Sequence, residues 1–465
     1  MVHAKFFART GLGLALALGV AAGGVSAPAM AKEKEKKAEA PKITLSKGFM
    51  PAYMGAKTGL DAAAKRQNVI DGRAAVTAAE NAYRSAQGKA ARDAARAKYE
   101  AAIAALATIA AGENQLVENA FTAATTPDDK FVAGQLGLTL GQLAFDKKMQ
   151  RRGLQAMVDS GKVSAADAAK FSYYIGGLAF DMRDYAGARA AFQSAIAGGY
   201  TEGGIDGLLA DAYFSDNQPA EGLKVLSAAI AKRGSAAPED WIRKGIVVSY
   251  KAKLAPEAVG FSSKLVESYP NKENWALAIA VVRDMSQFQN QEQLDLMRLM
   301  ERTASWSEAR DYFEYIQAAD PRRLPAEALK IVELGIASGK LQTSDISVSD
   351  ARSVASGRIA ADKTSLVALE RDARSATASA ATAMAGGDAF LSYGQVAKAE
   401  ELYQLALAKP GADTPRLLTR LGIAQTDLGK TAEAQATFAK VSGLRAPIAA
   451  LWSAYAKSKA AAPAQ

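Results

Sequence analysis

The chain has 465 residues, of which 49% are hydrophobic and 23% are charged, and its formal net charge is +9. This balance excludes an intrinsically disordered chain and leaves room for two or three ordinary domains or one long repeat array. There is no Cys, and the one His is His3, so a Ser-His-Asp triad, a Cys-His pair and a typical zinc site are excluded from the rest of the sequence.

The N-terminus has the three parts of a secretory signal peptide over 1–31. A basic start at Lys5 and Arg9 precedes an apolar run, and the run ends before an A-x-A pattern. The apolar run, about 15 residues long, is short of the roughly 20 that span a bilayer, which argues against a retained anchor. We predict cleavage between Ala31 and Lys32 and an exported protein, periplasmic or secreted, without stable membrane insertion.

Two segments precede the main body of the chain. Residues 32–50 begin with KEKEKKAEAP, which has no apolar face and predicts a flexible charged linker. Residues 51–126 predict an N-terminal helical region. Most of the excess positive charge lies in residues 32–112, which contain 15 Lys+Arg against 8 Asp+Glu. Residues 113–465 contain 40 of each. That later balance does not indicate a nucleic-acid partner.

The clearest unit is 171–197, which predicts two short amphipathic helices joined by a turn. Small residues at Gly176 and Ala188 let the two backbones approach closely, and Phe192 fills the groove between them. The same arrangement recurs 34 residues later, with Ala210, Gly222 and Leu226.

This spacing resembles the tetratricopeptide repeat (TPR). The resemblance implies an all-α fold, an α-solenoid of TPR-like helix-turn-helix repeats with an N-terminal helical extension. Repeats are predicted over 127–340, where Asp128 and Asp129 cap the first helix, and over 386–459, where a final helix covers the last unit. Residues 341–385 predict a helical connector, and 460–465 a disordered tail.

The resemblance also implies a groove lined by the first helices of the repeats, which in this family commonly binds an extended peptide or a partner helix. Four residues after the small first-helix position, the register places an aromatic ring in four repeats. The rings and the residues that follow them are Phe145 and Asp146, Phe180 and Asp181, Phe214 and Ser215, and Tyr250 and Lys251. Rigid rings beside charge suit peptide binding. The alternative is that the rings pack between neighbouring repeats.

The favoured function is a non-catalytic scaffold, without cofactor or metal, that binds another protein or peptide of the cell envelope. An enzymatic alternative starts from Glu267-Ser268, which resembles the catalytic dipeptide of lytic transglycosylases, although the surrounding motif is absent. Glu267 would then be the carboxylate acid of a glycan-cleaving enzyme. A third reading is a structural subunit of a polysaccharide or outer-membrane assembly apparatus, for which a large apolar flank is expected.

Overall fold

A computed structural model of the protein describes residues 43–461. These residues form α-helices, turns and short 3-10 segments, with no β-strand among them, so the predicted all-α fold is confirmed. The predicted signal peptide, its cleavage site at Ala31 and Lys32, and residues 462–465 of the predicted tail lie outside the described residues. Within 43–461, no helix is both long enough and apolar enough to cross a bilayer.

The chain divides into two compact units, 1–212 and 213–465. The helices that begin in the first unit are α1 (Met50–Ala63), α2 (Gln67–Ser85), α3 (Lys89–Ile109), α4 (Ala111–Ala123), α5 (Pro127–Leu143), α6 (Lys147–Asp159), α7 (Ala165–Asp181), α8 (Tyr185–Ala197) and α9 (Ile205–Ser215). The helices of the second are α10 (Pro219–Arg233), α11 (Glu239–Lys251), α12 (Ala255–Ser268), α13 (Lys272–Asp284), α14 (Asn290–Arg302), α15 (Ala309–Ala319), α16 (Pro325–Ala337), α17 (Ile346–Arg374), α18 (Ala380–Ser392), α19 (Val396–Leu407), α20 (Thr414–Asp427), α21 (Thr431–Phe438) and α22 (Ala446–Ala461).

The predicted seam of small residues is present in the α7–α8 hairpin. Gly176 and Phe192 are both buried, and a Cβ atom added at Gly176 would lie 2.5 Å from Phe192 Cδ1. The glycine is therefore needed for the ring to press against the backbone of α7. The same contact, with the ring 16 residues after the glycine, recurs in three hairpins of the second unit: Gly245 and Phe261, Gly387 and Tyr403, and Gly422 and Phe438. These hairpins are TPR-like.

The turns inside the hairpins share one backbone geometry. A non-glycine residue with positive φ occupies the turn in four of them: Phe145 (55°), Arg183 (62°), Asn217 (56°) and Lys253 (57°). After each, the next N–H donates to the carbonyl five residues earlier: Asp146 to Gly141, Asp184 to Ala179, Gln218 to Tyr213, and Leu254 to Ser249. Left-handed backbone costs an L-residue roughly 1–2 kcal/mol, so helix packing holds these turns in place. They also define which residues of different hairpins are equivalent.

The start of α5 is capped, but its N-cap residue is Thr126, and of the two aspartates predicted to cap it Asp129 takes part whereas Asp128 pairs with Lys162. Thr126 and Asp129 form a capping box, in which the Asp129 N–H donates to Thr126 Oγ1 and the Thr126 N–H donates to Asp129 Oδ2, both at 3.1 Å. Asp129 Oδ1 also accepts the Ser46 N–H at 2.9 Å. Phe49, inside the segment predicted as linker, is fully buried. Packed structure in the first unit therefore begins before residue 51.

The last helix, α22, has a wider role than covering the final hairpin. It contacts α21, as predicted, and also α12, α13 and α14. Trp452 is fully buried, and its indole Nε1 donates to the Asp295 carbonyl at 2.8 Å. The Tyr455 ring meets Trp275 with 5.9 Å between ring centroids. This helix is therefore part of the core of the second unit.

Candidate protein-binding surface

Three of the four predicted groove rings occupy equivalent positions. Phe180, Phe214 and Tyr250 each lie three residues before a left-handed turn residue, and their carbonyls accept its N–H at 2.9, 3.2 and 3.1 Å, respectively. Each ring therefore lies in the last turn of the first helix of its hairpin. Phe180 and Phe214 are half-buried, and Tyr250 is exposed.

Phe145 does not share this position, although the sequence register placed it there. It is itself the left-handed turn residue, so its equivalents are Arg183 and Asn217. The residue equivalent to Phe180 in the α5–α6 hairpin is Gln142. Counted from the turn residues, the α5 position equivalent to Gly176 is Leu138. The sequence register is displaced because it matched the small residue Gly141, which lies about one helical turn from Leu138 on the same face of α5.

Phe145 and Asp146 have structural partners within the first unit. The Arg73 guanidinium of α2 lies 5.3 Å from the Phe145 ring centroid. Its Nη1 also donates to the carbonyls of Gln142 and Leu143, both at 2.8 Å. Asp146 is the N-cap of α6 and accepts the backbone N–H groups of the next turn. For Phe145, packing against a neighbouring helix is thus the arrangement found.

Phe180 and Asp181 also make contacts inside the first unit. The Phe180 ring meets the Tyr185 ring edge to face, with 5.4 Å between centroids. Asp181 Oδ2 lies 2.5 Å from Lys147 Nζ on the preceding hairpin, and both side chains are about one-third exposed. Exposed ion pairs contribute at most about 1 kcal/mol. This pair joins adjacent hairpins without strongly stabilising them.

The most open of the predicted rings lies on α11, in the second unit. Tyr250 is 42% exposed, and Val247, three residues earlier on the same helix face, is 49% exposed. Tyr250 Oη donates to Asp284 Oδ2 of α13 at 3.4 Å. Lys251 beside it is exposed. We call Val247, Tyr250 and Lys251 the α11 surface; it combines apolar and aromatic area with a cation and borders the Asp284 carboxylate.

A buried ion cluster in the second unit was not anticipated from sequence. Asp295 Oδ1 accepts from Arg298 Nη1 and Arg420 Nε, both at 3.1 Å, and Asp295 Oδ2 pairs with Arg445. Arg298 also forms a bidentate pair with Glu327, with both distances 2.7 Å. The available signal was a charged pair, Asp295 and Arg298, inside the apolar stripe of α14. The partners of this pair lie on other helices, so no local sequence pattern indicates them.

Electrostatics keep this cluster ionised. Complete burial raises the pKa of the Asp295 carboxyl, but the guanidinium groups of Arg420, Arg445 and Arg298 outweigh burial and hold its pKa below the ordinary value. Burial likewise opposes the charge of Arg420, yet the carboxylates of Asp295 and Asp388 raise its pKa above the ordinary value. The cluster joins α14 to α16, α18, α20 and the segment before α22. Its role is structural, because it holds these helices together.

Glu267, the acid of the enzymatic alternative, lies on α12 and contacts the last helix. Its Oε1 is 2.9 Å from Lys457 Nζ of α22, and its side chain is 30% exposed. Among residues 43–461, no group of three or more His, Cys, Asp or Glu side chains is arranged to hold a metal ion. The pair with Lys457 thus gives Glu267 a structural partner in the contact between α12 and α22.

Comparison with known proteins adds little to this description. No protein-family model matches the chain, and no curated protein matches it at a significant level. Among solved structures, the complex of Naa15 and Naa10 bound to HypK-THB is similar over 84% of this chain and 68% of that chain, with 12% identity and a TM-score of 0.22. A similarity at this TM-score supports neither a shared function nor a shared helix arrangement. The assignment as TPR-like depends on the hairpins themselves.

Proposed function

We propose that this protein is an exported, non-catalytic helical-repeat scaffold that binds another protein or peptide of the cell envelope. The signal-like N-terminus supports export, and the stacked helix hairpins support a binding role. The single observation that carries the proposal is the α11 surface, where Val247 and Tyr250 are 49% and 42% exposed side by side. No cofactor or metal takes part.

The chemistry of the α11 surface indicates what it would bind. A tyrosine ring buries a large area at low entropic cost, which is why tyrosine is frequent among residues that dominate binding energy. Lys251 would pair with an acidic side chain, and Asp284 would repel one. The expected partner presents an apolar side chain next to a carboxylate, on a helix or an extended segment.

The test is capture of partners by the mature full-length chain from its own envelope fraction after cross-linking. We expect the Val247→Ser/Tyr250→Ala variant to recover about tenfold less of the wild-type partner, because it loses two exposed contacts of about 1 kcal/mol or more in total. Val367→Ser is the matched control, since Val367 is 78% exposed on α17. Unchanged recovery by the double variant, with circular dichroism showing an intact fold, would contradict the proposal.

Export is tested separately by fractionating cells and sequencing the N-terminus of the protein. The expected chain begins at Lys32 and is found outside the cytoplasm. A cytoplasmic chain that retains residues 1–31 would be incompatible with a periplasmic or secreted scaffold, whatever it binds.

The glycan-cleaving alternative makes a different prediction for Glu267. If Glu267 were the acid, Glu267→Gln would abolish release of soluble fragments from envelope glycan by the purified protein. Under the scaffold proposal neither the wild type nor this variant releases fragments. The Lys457 contact supports the scaffold reading because it gives Glu267 a structural partner.

A further inference from the structure

The second unit contains a small pocket with an unusual lining. It has a volume of about 310 Å³ and lies between the end of α13, the α13–α14 loop and α15. Four exposed carboxamide side chains border it: Gln287, Gln289, Asn290 and Gln317. None of the four side chains has a hydrogen-bond partner within residues 43–461. The pocket therefore presents carboxamide donors and acceptors that the protein itself leaves unused.

The charged groups of the pocket are already paired with one another. Glu314 Oε2 accepts from Arg283 Nη1 at 3.1 Å and from Gln293 Nε2 at 2.8 Å, and Glu314 Oε1 accepts from Arg310 Nε at 2.5 Å. Arg283 Nη1 also lies 3.1 Å from Asp311 Oδ1. Two cations therefore face two carboxylates. Arg283 Nε is nevertheless buried without a hydrogen-bond partner among the described residues, and the Arg310 side chain is 70% exposed. The groups able to donate to a ligand oxygen are therefore these two guanidinium groups together with the neutral carboxamides.

Two further features suit a polar ligand with an apolar face. The N-cap of α14, Gln289, makes no side-chain cap bond, so the first N–H groups of this 13-residue helix are available as donors. Phe288, an aromatic residue, is half-buried and lines the pocket. The site thus combines carboxamides, which donate and accept, with free N–H donors and one aromatic residue.

From this combination we infer that the pocket binds a carbohydrate. Sugar hydroxyl groups both donate and accept hydrogen bonds, as carboxamides do, and the C–H face of a sugar ring packs on an aromatic ring. The volume is at the small end of the roughly 300–1,000 Å³ typical of ligand pockets, enough for about one or two sugar units. An extended peptide would need a longer groove than this compact pocket. The carbohydrate site is distinct from the α11 surface.

The test is isothermal titration of the mature full-length protein with defined saccharides: glucose, N-acetylglucosamine, maltose and chitobiose. We expect saturable millimolar binding of at least one. Gln287→Ala/Gln317→Ala should weaken it about tenfold, because two ligand hydrogen bonds are lost. Neither glutamine bonds to the protein, so the variant should fold normally. Gln404→Ala, an exposed glutamine on α19, is the matched control and should bind as the wild type does.

Three outcomes would overturn the inference. The first is that none of the four saccharides binds the wild type saturably. The second is that the wild type and the double variant bind the sugar with equal affinity. The third is that a short neutral peptide competes with the sugar and binds more tightly than it does. The readout uses purified protein and saccharide alone. A negative result for sugar binding can therefore be told apart from a negative result for partner capture at the α11 surface.

Discussion

Asp295 and Arg420 are 125 residues apart in the sequence, yet their side chains meet in the fully buried interior of the second unit, with 3.1 Å between Oδ1 and Nε. Arg445 contacts the other oxygen of the same carboxylate. One acid thus bonds to side chains from two other parts of the unit, α20 and the segment before α22. The α22 helix is held at the same place, because Trp452 donates to the Asp295 carbonyl.

Replacing Arg420 with methionine should strongly destabilise the second unit. Removing one partner of a buried ion pair leaves an uncompensated charge and costs roughly 3–5 kcal/mol. Urea unfolding followed by tryptophan fluorescence measures this, because all four tryptophans lie within 213–465. Arg352→Met, which removes the exposed pair with Glu333, should cost less than about 1 kcal/mol. Equal effects of the two variants would contradict a structural role for the cluster.

Gly176→Ala should destabilise the α7–α8 hairpin despite the better helix propensity of alanine. The added Cβ would lie 2.5 Å from Phe192 Cδ1, and overpacking of this kind costs roughly 1–3 kcal/mol. Gly112→Ala is the control, because nothing lies within 4 Å of a Cβ at that site of α4; it should stabilise by about 0.5–1 kcal/mol. Calorimetric melting temperatures that rise in both variants would show that the seam is looser than described.

The first unit should lose stability in acid through Asp129. Burial raises the pKa of this carboxyl, but the N–H groups of Ser46 and Thr126 outweigh burial and lower its pKa to about 2. Since the folded pKa lies below the roughly 3.9 of an unfolded chain, the stabilisation is complete above about pH 4 and is lost as the pH falls from about 4 to about 2. The ionised Asp129 carboxylate contributes about 2 kcal/mol to the free energy of unfolding.

The measurement is calorimetry of the wild type and Asp129→Asn across this pH range. We expect the variant to be less stable near neutrality and the difference to vanish near pH 2. Asp61→Asn, which changes an exposed carboxylate, should follow the wild type. A constant difference between the wild type and Asp129→Asn at every pH would show that the carboxylate charge is not the cause.

The contact between α12 and α22 can be tested by a zero-length cross-link. Glu267 Oε1 and Lys457 Nζ are 2.9 Å apart, so a carbodiimide should join them by an amide bond that mass spectrometry detects. Lys457→Arg should abolish this product and leave the Lys147–Asp181 product of the first unit in place. Recovery of the second product without the first from the wild type would mean that α22 does not pack on α12.

The sequence alone determined the all-α class, the hairpin unit and the seam of Gly176 and Phe192, because small and bulky residues at helical spacing depend on contacts only a few turns apart. It also indicated that Asp129 takes part in the cap of α5, since capping residues bond to the backbone next to them, although the N-cap residue proved to be Thr126 and Asp128 does not cap the helix. Only the tertiary structure decided that Phe145 is a turn residue covered by Arg73. Residues one helical turn apart lie on the same face of α5, so the sequence pattern fits a register shifted by one turn equally well. The tertiary structure alone decided the Asp295 cluster and the position of α22, since these depend on helices more than a hundred residues apart, whose side chains meet only after the hairpins have stacked.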